Sequence, residues 1–336
     1  MATSSGSSFY PALKNGLKSF FANGGGAFAA LLVLVVVCSA TNPTFSKTDN
    51  LLNILRQCTY SGLIALGMTY VIVAGGIDLS VGSLFAFSGV ATVELLNLFP
   101  ADGSPIRLCF LAFALAALIG GACGALNGAL VVFGKLPPFI ATLGTYSVFR
   151  SLALYMADSG NATPSSPELV GLLTDFGSSF LLGLPVPVWF LLSLAVLLGV
   201  HLASTPGGRH TLATGSNPRV ARFAGIRISR VCFLTYLLVG LLAGLSAFLF
   251  LGRLGTISSS NAGMLYELDA IAAVIIGGAS MSGGRGTIAG TLAGVLILGI
   301  VSNILDLWGV NVSLQGTVKG LVIILSVLIQ HKRTRL

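Results

Sequence analysis

Charge is scarce in this sequence, and the shortage removes whole classes of function. Only 8% of its 336 residues are charged and 54% are hydrophobic, against roughly 25% charged in a soluble domain. A soluble fold this apolar could not cover its own surface with polar side chains. There are ten acids and three histidines, and they form no carboxylate cluster and no HExxH motif; GxSxG is absent too. No catalytic, cofactor-binding or metal-ligating constellation emerges, so the chain does not read as an enzyme. A phosphate loop is also missing: Gly134-Lys135 is followed by Leu136 and lacks an upstream glycine at the required spacing. The chain cannot bind ATP through a phosphate loop of its own. Cys38, Cys58, Cys109, Cys123 and Cys232 lie singly in apolar segments and read as small buried hydrophobes.

What is present is a series of apolar blocks about as long as the roughly 20 residues a helix needs to cross the hydrocarbon core. The candidate spans are 24–41, 52–74, 79–98, 108–133, 138–157, 186–203, 231–251, 268–282, 287–305 and 316–330. The fold class expected is an all-α polytopic membrane protein of about ten transmembrane helices. Lys14 and Lys18 ahead of an apolar run resemble a secretory signal, but spans continue along the chain, so a retained first helix is expected.

Glycine is abundant where lipid-facing helices must pack. Gly120, Gly124 and Gly128 repeat every fourth residue, as do Gly286, Gly290 and Gly294, and Gly240 and Gly244 form a further pair. Such spacing puts a smooth stripe on one helix face and lets backbones approach closely.

Basic residues give the direction. With a cytoplasmic N-terminus and alternating spans, the inner segments carry Lys14, Lys18, Lys135, Arg209, Arg219, Arg222, Arg227, Arg230, Arg285, Lys332, Arg333 and Arg335. The outer segments carry only Lys47, Arg107 and Arg253. This positive-inside bias predicts both termini in the cytoplasm. The expected organisation is a cytoplasmic segment 1–23, a transmembrane domain 24–330 and a cytoplasmic tail 331–336. Within the domain lie an outer loop 158–184 and an inner loop 204–230. The net charge of +8 is then a topology signal, and nucleic-acid binding is not inferred from it.

Three segments stand out. In the inner loop, Asn217 and Pro218 form a helix start and Gly225 a stop. The short helix between them carries Arg219 and Arg222, with Val220, Phe223 and Ala224 available for contact. It would suit a groove on another protein; the same residues would suit an anionic lipid surface. The absent phosphate loop tips this helix toward docking, because an ATP-driven process would need another polypeptide.

The second segment places Gly75, Gly76, Asp78, Ser80, Gly82 and Ser83 between two spans with almost no loop. A charge at the bilayer centre costs on the order of 3 kcal/mol on insertion scales, so Asp78 is expected capped or paired near an interface. The simpler reading makes Asp78 or Ser80 the N-cap of the next span; the other is a helix break whose backbone lines a polar pathway. In the third, Glu267 and Asp269 begin a span and complement its dipole, and Gly277 to Gly286 makes an inner turn with Arg285. Arg150 is the deepest charge and must face the bundle interior or water; it is a candidate path residue, with a structural ion pair expected ahead of a substrate contact.

Long runs then carry a resemblance. They are Leu66-Gly-Met-Thr-Tyr-Val-Ile-Val-Ala-Gly-Gly-Ile-Asp-Leu-Ser-Val-Gly-Ser and Pro138-Phe-Ile-Ala-Thr-Leu-Gly-Thr, then Gly208-Arg with Gly215-Ser-Asn-Pro, and Tyr266-Glu-Leu-Asp-Ala-Ile-Ala-Ala-Val-Ile-Ile-Gly-Gly. In this order and spacing the chain resembles the permease subunits of ribose-type sugar ABC importers, from about Phe45 to Val327. The resemblance implies a multi-pass subunit of the bacterial inner membrane that imports a monosaccharide or related polyol. It also implies a second permease copy or paralogue, a cytoplasmic ATPase holding ATP and magnesium, and a periplasmic sugar-binding protein. The Asn217–Gly225 stretch would be the coupling helix seated on the ATPase. A self-sufficient secondary transporter is the alternative, but the intramembrane acid relay it needs is missing.

Overall fold

The computed structural model describes residues 25–99, 104–311, 314–322 and 324. The expected segments 1–23 and 331–336, and residues 323 and 325–330 of the expected span 316–330, lie outside them.

Helices account for nearly all of the regular structure. In chain order they are α1 (Gly26–Thr41), α2 (Thr48–Val73), α3 (Val81–Leu96), α4 (Pro105–Val132), α5 (Pro138–Met156) and α6 (Pro167–Ser178). There follow α7 (Val186–Ser204), α8 (Pro206–Ser216), α9 (Pro218–Phe223), α10 (Ile228–Leu254), α11 (Tyr266–Ile276) and α12 (Ile288–Leu307). Four two-residue strands pair antiparallel, β1 (Asn161–Ala162) with β4 (Ile257–Ser258) and β2 (Phe180–Leu181) with β3 (Leu184–Pro185).

Proline sets many of the starts: α4, α5, α6, α8 and α9 each have it in the first turn, where its missing N–H costs nothing. Two of these helices, α6 and α8, fall in stretches expected as loops. Their signals were present as Ser166-Pro167 and Thr205-Pro206. Ser166 Oγ accepts from the Leu169 N–H at 3.3 Å, and Thr205 Oγ1 from the Gly208 N–H at 3.2 Å, as N-caps do.

Among the described residues, four helices (α4, α7, α10 and α12) are long and apolar enough to cross a membrane, while α1 and α3 are apolar but shorter. The expected span 268–282 is corrected. Its helix α11 has only 11 residues, about 16 Å at 1.5 Å per residue, or half a hydrocarbon core. It ends at Gly277 and at Gly278, whose φ is +93°.

The glycine stripes face one another. A Cβ on Gly120 would lie 2.8 Å from Gly244 Cα, and one on Gly240 2.7 Å from Gly124 Cα. No side chain fits between α4 and α10 along this line, and their backbones touch. In the same way, Gly290 and Gly294 of α12 meet the backbones of Gly277 and Ala273. The core lies around α2, whose residues Gly62 to Val73 are all buried, and which packs on α10, α11 and α12. Asn50 of α2 and Asn303 of α12 exchange amide hydrogen bonds at 3.0 and 2.8 Å.

Candidate functional site: two helix breaks and an exposed basic helix

Between α2 and α3 the chain leaves helical geometry over 74–80, with Gly75 at φ +87°. Inside a bundle each freed polar group must find a partner, and here side chains from three other helices supply them, two to the backbone and one to the side chains of Asp78 and Ser80. Tyr236 Oη of α10 donates to the Ile77 carbonyl at 3.0 Å. The Leu79 N–H donates to Thr142 Oγ1 of α5 at 3.1 Å. Asn127 Nδ2 of α4 donates to Asp78 Oδ2 at 3.1 Å and to Ser80 Oγ at 2.7 Å.

Asp78 itself is fully buried. Its Oδ1 accepts from the Ser80 N–H at 2.8 Å and from Ser80 Oγ at 2.7 Å. Neither residue is an N-cap by its side chain, which corrects the simpler sequence reading: Ser80 holds the cap position of α3 with no side-chain cap bond. The physical reason is competition. Asp78 forms an Asx turn on the N–H two residues on, and Ser80 Oγ points back into the carboxylate. Ser83 Oγ donates to the Ser80 carbonyl at 2.8 Å, closing the start of α3. Tyr236 is the ninth residue of α10, about 12 Å from its start, so the break lies within the bundle.

A second break runs from β4 to α11. Arg150 holds it: Nη1 donates to the carbonyls of Ser259 (2.8 Å), Ser260 (3.2 Å) and Ala262 (3.1 Å), and Nη2 to Ala262 (3.0 Å). The ion pair expected for Arg150 is therefore replaced, among the described residues, by backbone carbonyls. A planar guanidinium can serve several at once. The two breaks abut, because a Cβ on Gly263 (φ +68°) would lie 3.0 Å from the Gly82 carbonyl carbon, and one on Gly82 would strike Gly263 O and Glu267 Oε2. Glu267 and Asp269 lie in the first turn of α11, as the dipole argument expects. Asp269 also pairs with Lys319 at 3.1 Å.

On the basic side, Asn217 Oδ1 accepts from the N–H groups of Arg219 and Val220, both at 3.1 Å, and so starts α9 behind Pro218. Gly225, at φ +80°, ends it. Only Ala221 of α9 is buried, whereas Val220 is 61% and Phe223 94% exposed. Arg219 and Arg222 are exposed as well. One turn upstream, Gly215 of α8 touches the end of α2: its added Cβ would lie 2.9 Å from the Val73 carbonyl carbon and 2.7 Å from Gly284 N. The helix with the exposed phenylalanine is thus linked through α8 to the first break.

The sequence reading did not single out Asn127, Thr142, Tyr236 or Gly263. For Asn127 a signal existed, since an amide in the apolar run of α4 needs a polar partner.

A family model described as branched-chain amino acid transport system / permease component matches residues 50–327. The chain belongs to this family. The permease is 44% identical over 314 residues to the ribose import permease protein RbsC of Bacillus subtilis, covering 92% of this chain and 93% of that protein. It is 38% identical to the ribose import permease protein RbsC of Escherichia coli K12 (90% and 92% covered) and 36% identical to the D-allose transport system permease protein AlsC of the same strain (90% of each). No solved structure matches.

Proposed function

We propose that this chain is the membrane-spanning permease subunit of an ATP-binding-cassette importer for a monosaccharide or related polyol. The observation that carries the reading is α9: a six-residue helix capped by Asn217, flanked by arginines and presenting Phe223 to solvent. An exposed aromatic on a basic surface needs a partner, and an apolar knob on a short helix fits a groove on another protein. No phosphate loop occurs in these 336 residues, so the partner is a separate ATPase holding ATP and magnesium. Relatives named for ribose and D-allose import support a sugar as cargo.

The finer reading follows the same line. About ten helices cross the bacterial inner membrane, both termini are cytoplasmic, 204–230 is the coupling loop and 158–184 the periplasmic one. A second copy or close paralogue completes the path, and a periplasmic binding protein delivers the sugar. The breaks formed by Gly75, Gly76, Asp78, Ser80, Gly82 and Ser83, and by the loop that Arg150 holds, are the interrupted helices that flank the path. Nucleotide-driven motion of the ATPase would reach them through α9, α8 and the Gly215 contact, biasing a two-state rearrangement.

The test is reconstitution. Liposomes holding the permease alone should take up no sugar above leak, and adding its ATPase, binding protein and ATP should restore uptake. Concentrative uptake by the permease alone would favour a secondary transporter.

A further inference from the structure

A cavity of about 640 Å³ opens between α7, α8 and α10 on the basic side of the bundle. Its walls change character along α10. Arg227 and Arg230 line it at the start of α10, and Leu234, Leu238 and Leu241 follow further along that helix, with Tyr70, His201 and Thr235 also on the wall. No acidic residue lines it, and neither arginine has an ion-pair partner among the described residues. Leu241 is the fourteenth residue of α10, about 20 Å from the start of that helix. The apolar part therefore runs well along α10 from its basic end, and Leu234 on its wall is 46% exposed.

We infer that this cleft is a binding site for an anionic glycerophospholipid of the inner leaflet, with its phosphate between Arg227 and Arg230 and an acyl chain along Leu234, Leu238 and Leu241. The charge pattern selects this occupant. A basic pocket between membrane helices on the cytoplasmic side is complementary to an anionic head group. A soluble anion would leave the apolar part unfilled, and a sugar would leave both the leucines and the unpaired arginines without partners. The site is separate from the two helix breaks, but its rim, Gly225 to Arg230, is also the connection between α9 and α10. An occupied cleft would fix the seat of α9.

The experiment uses the full chain in membranes and two photoactivatable probes with the same acyl diazirine, one a phosphatidylglycerol and the other a zwitterionic phosphatidylcholine. The phosphatidylglycerol probe should label peptides containing Leu198–His201 and Val231–Leu241, with the phosphatidylcholine probe several-fold weaker. Replacing Arg227→Gln and Arg230→Gln should lower phosphatidylglycerol labelling by about fivefold per arginine, while Arg227→Lys with Arg230→Lys should keep most of it. Leu238→Trp should block labelling by filling the cleft; if that variant fails to insert, the arginine pair still decides. Equal labelling by both probes, labelling unchanged in the Gln variant, or adducts elsewhere would overturn the proposal. So would labelling abolished by excess inorganic phosphate, which would make the site one for a soluble anion. None of these readouts depends on the ATPase.

Discussion

The backbone N–H of Gly284 donates to the carbonyl of Val73 at 2.9 Å, joining the turn after α11 to the last residue of α2. This bond ties the first helix break to the turn between α11 and α12. Gly284 has φ +76°, and a Cβ there would lie 2.6 Å from Ser216 Cα at the end of α8. Three segments therefore meet at one backbone junction with no room for side chains.

Gly284→Ala should disturb that junction specifically. The left-handed conformation costs a non-glycine residue about 1–2 kcal/mol, and the contact with Ser216 adds to it. The expected outcome is a lower thermal midpoint in detergent together with fewer sugars moved per ATP hydrolysed. A lower midpoint with an unchanged ratio would make the junction a packing feature without a role in transmission.

Asn127 is the clearest stability test of the buried carboxylate. Asn127→Leu removes the donor to both Asp78 and Ser80, and leaving a buried polar group unsatisfied costs about 1–3 kcal/mol. Denaturation in detergent should show a loss of that order. In the Asp78→Ala background the same change should cost less, because the acceptor that needed the donor is gone. Equal losses in both backgrounds would mean that Asn127 acts through packing alone.

The glycine stripes yield a contrast within one residue type. Gly240→Leu must push α4 and α10 apart, because Gly124 Cα lies 2.7 Å from the added Cβ; overpacking of this kind costs about 1–3 kcal/mol or more. Gly171→Ala in α6 meets nothing within 4 Å and should be neutral or slightly stabilising, since alanine favours a helix by about 1 kcal/mol over glycine. Thermal midpoints of the two variants check both halves.

How much of this was legible in the sequence depends on whether the signal was local. Asn217, Pro218 and Gly225 predicted α9 because capping and a left-handed stop are decided by neighbouring residues. The stripes were legible as spacing, but not that Gly120 and Gly124 would face Gly240 and Gly244. Arg150 was expected to need a partner, and an acid was the obvious one. Backbone carbonyls of 259–262 serve instead, and a loop made polar by an irregular path leaves no mark in residue type. The shortness of α11 was hidden for a similar reason: Ile275-Ile276-Gly277-Gly278-Ala279 stays apolar past the last helical residue, so hydropathy ran on where the backbone had stopped.

Arg150 gives a test of the second break. Arg150→Ala leaves the carbonyls of Ser259, Ser260 and Ala262 without this donor, and each unsatisfied group costs about 1–3 kcal/mol when buried. Arg150→Lys retains the charge, but one ammonium lacks the fork that reaches several carbonyls at once. Sugar uptake should fall in the order wild type, Lys, Ala. Equal uptake by the lysine and wild-type proteins would show that charge alone suffices and that clamping the loop is dispensable.

The coupling assignment makes the most direct prediction. Arg219 and Arg222 lie exposed on α9, flanking the buried Ala221 that anchors the helix. Arg219→Glu with Arg222→Glu reverses the local charge without touching the Asn217 cap or the buried contact, so insertion and folding should be unaffected. Association with the ATPase should be lost, measured by co-purification, and uptake with it. Phe223→Ala should weaken the same association through lost apolar contact while leaving the charge intact. If both variants bind the ATPase as the wild type does, α9 is not its seat. The lipid proposal would survive that result, because the phosphatidylglycerol labelling depends on Arg227 and Arg230, which both variants retain.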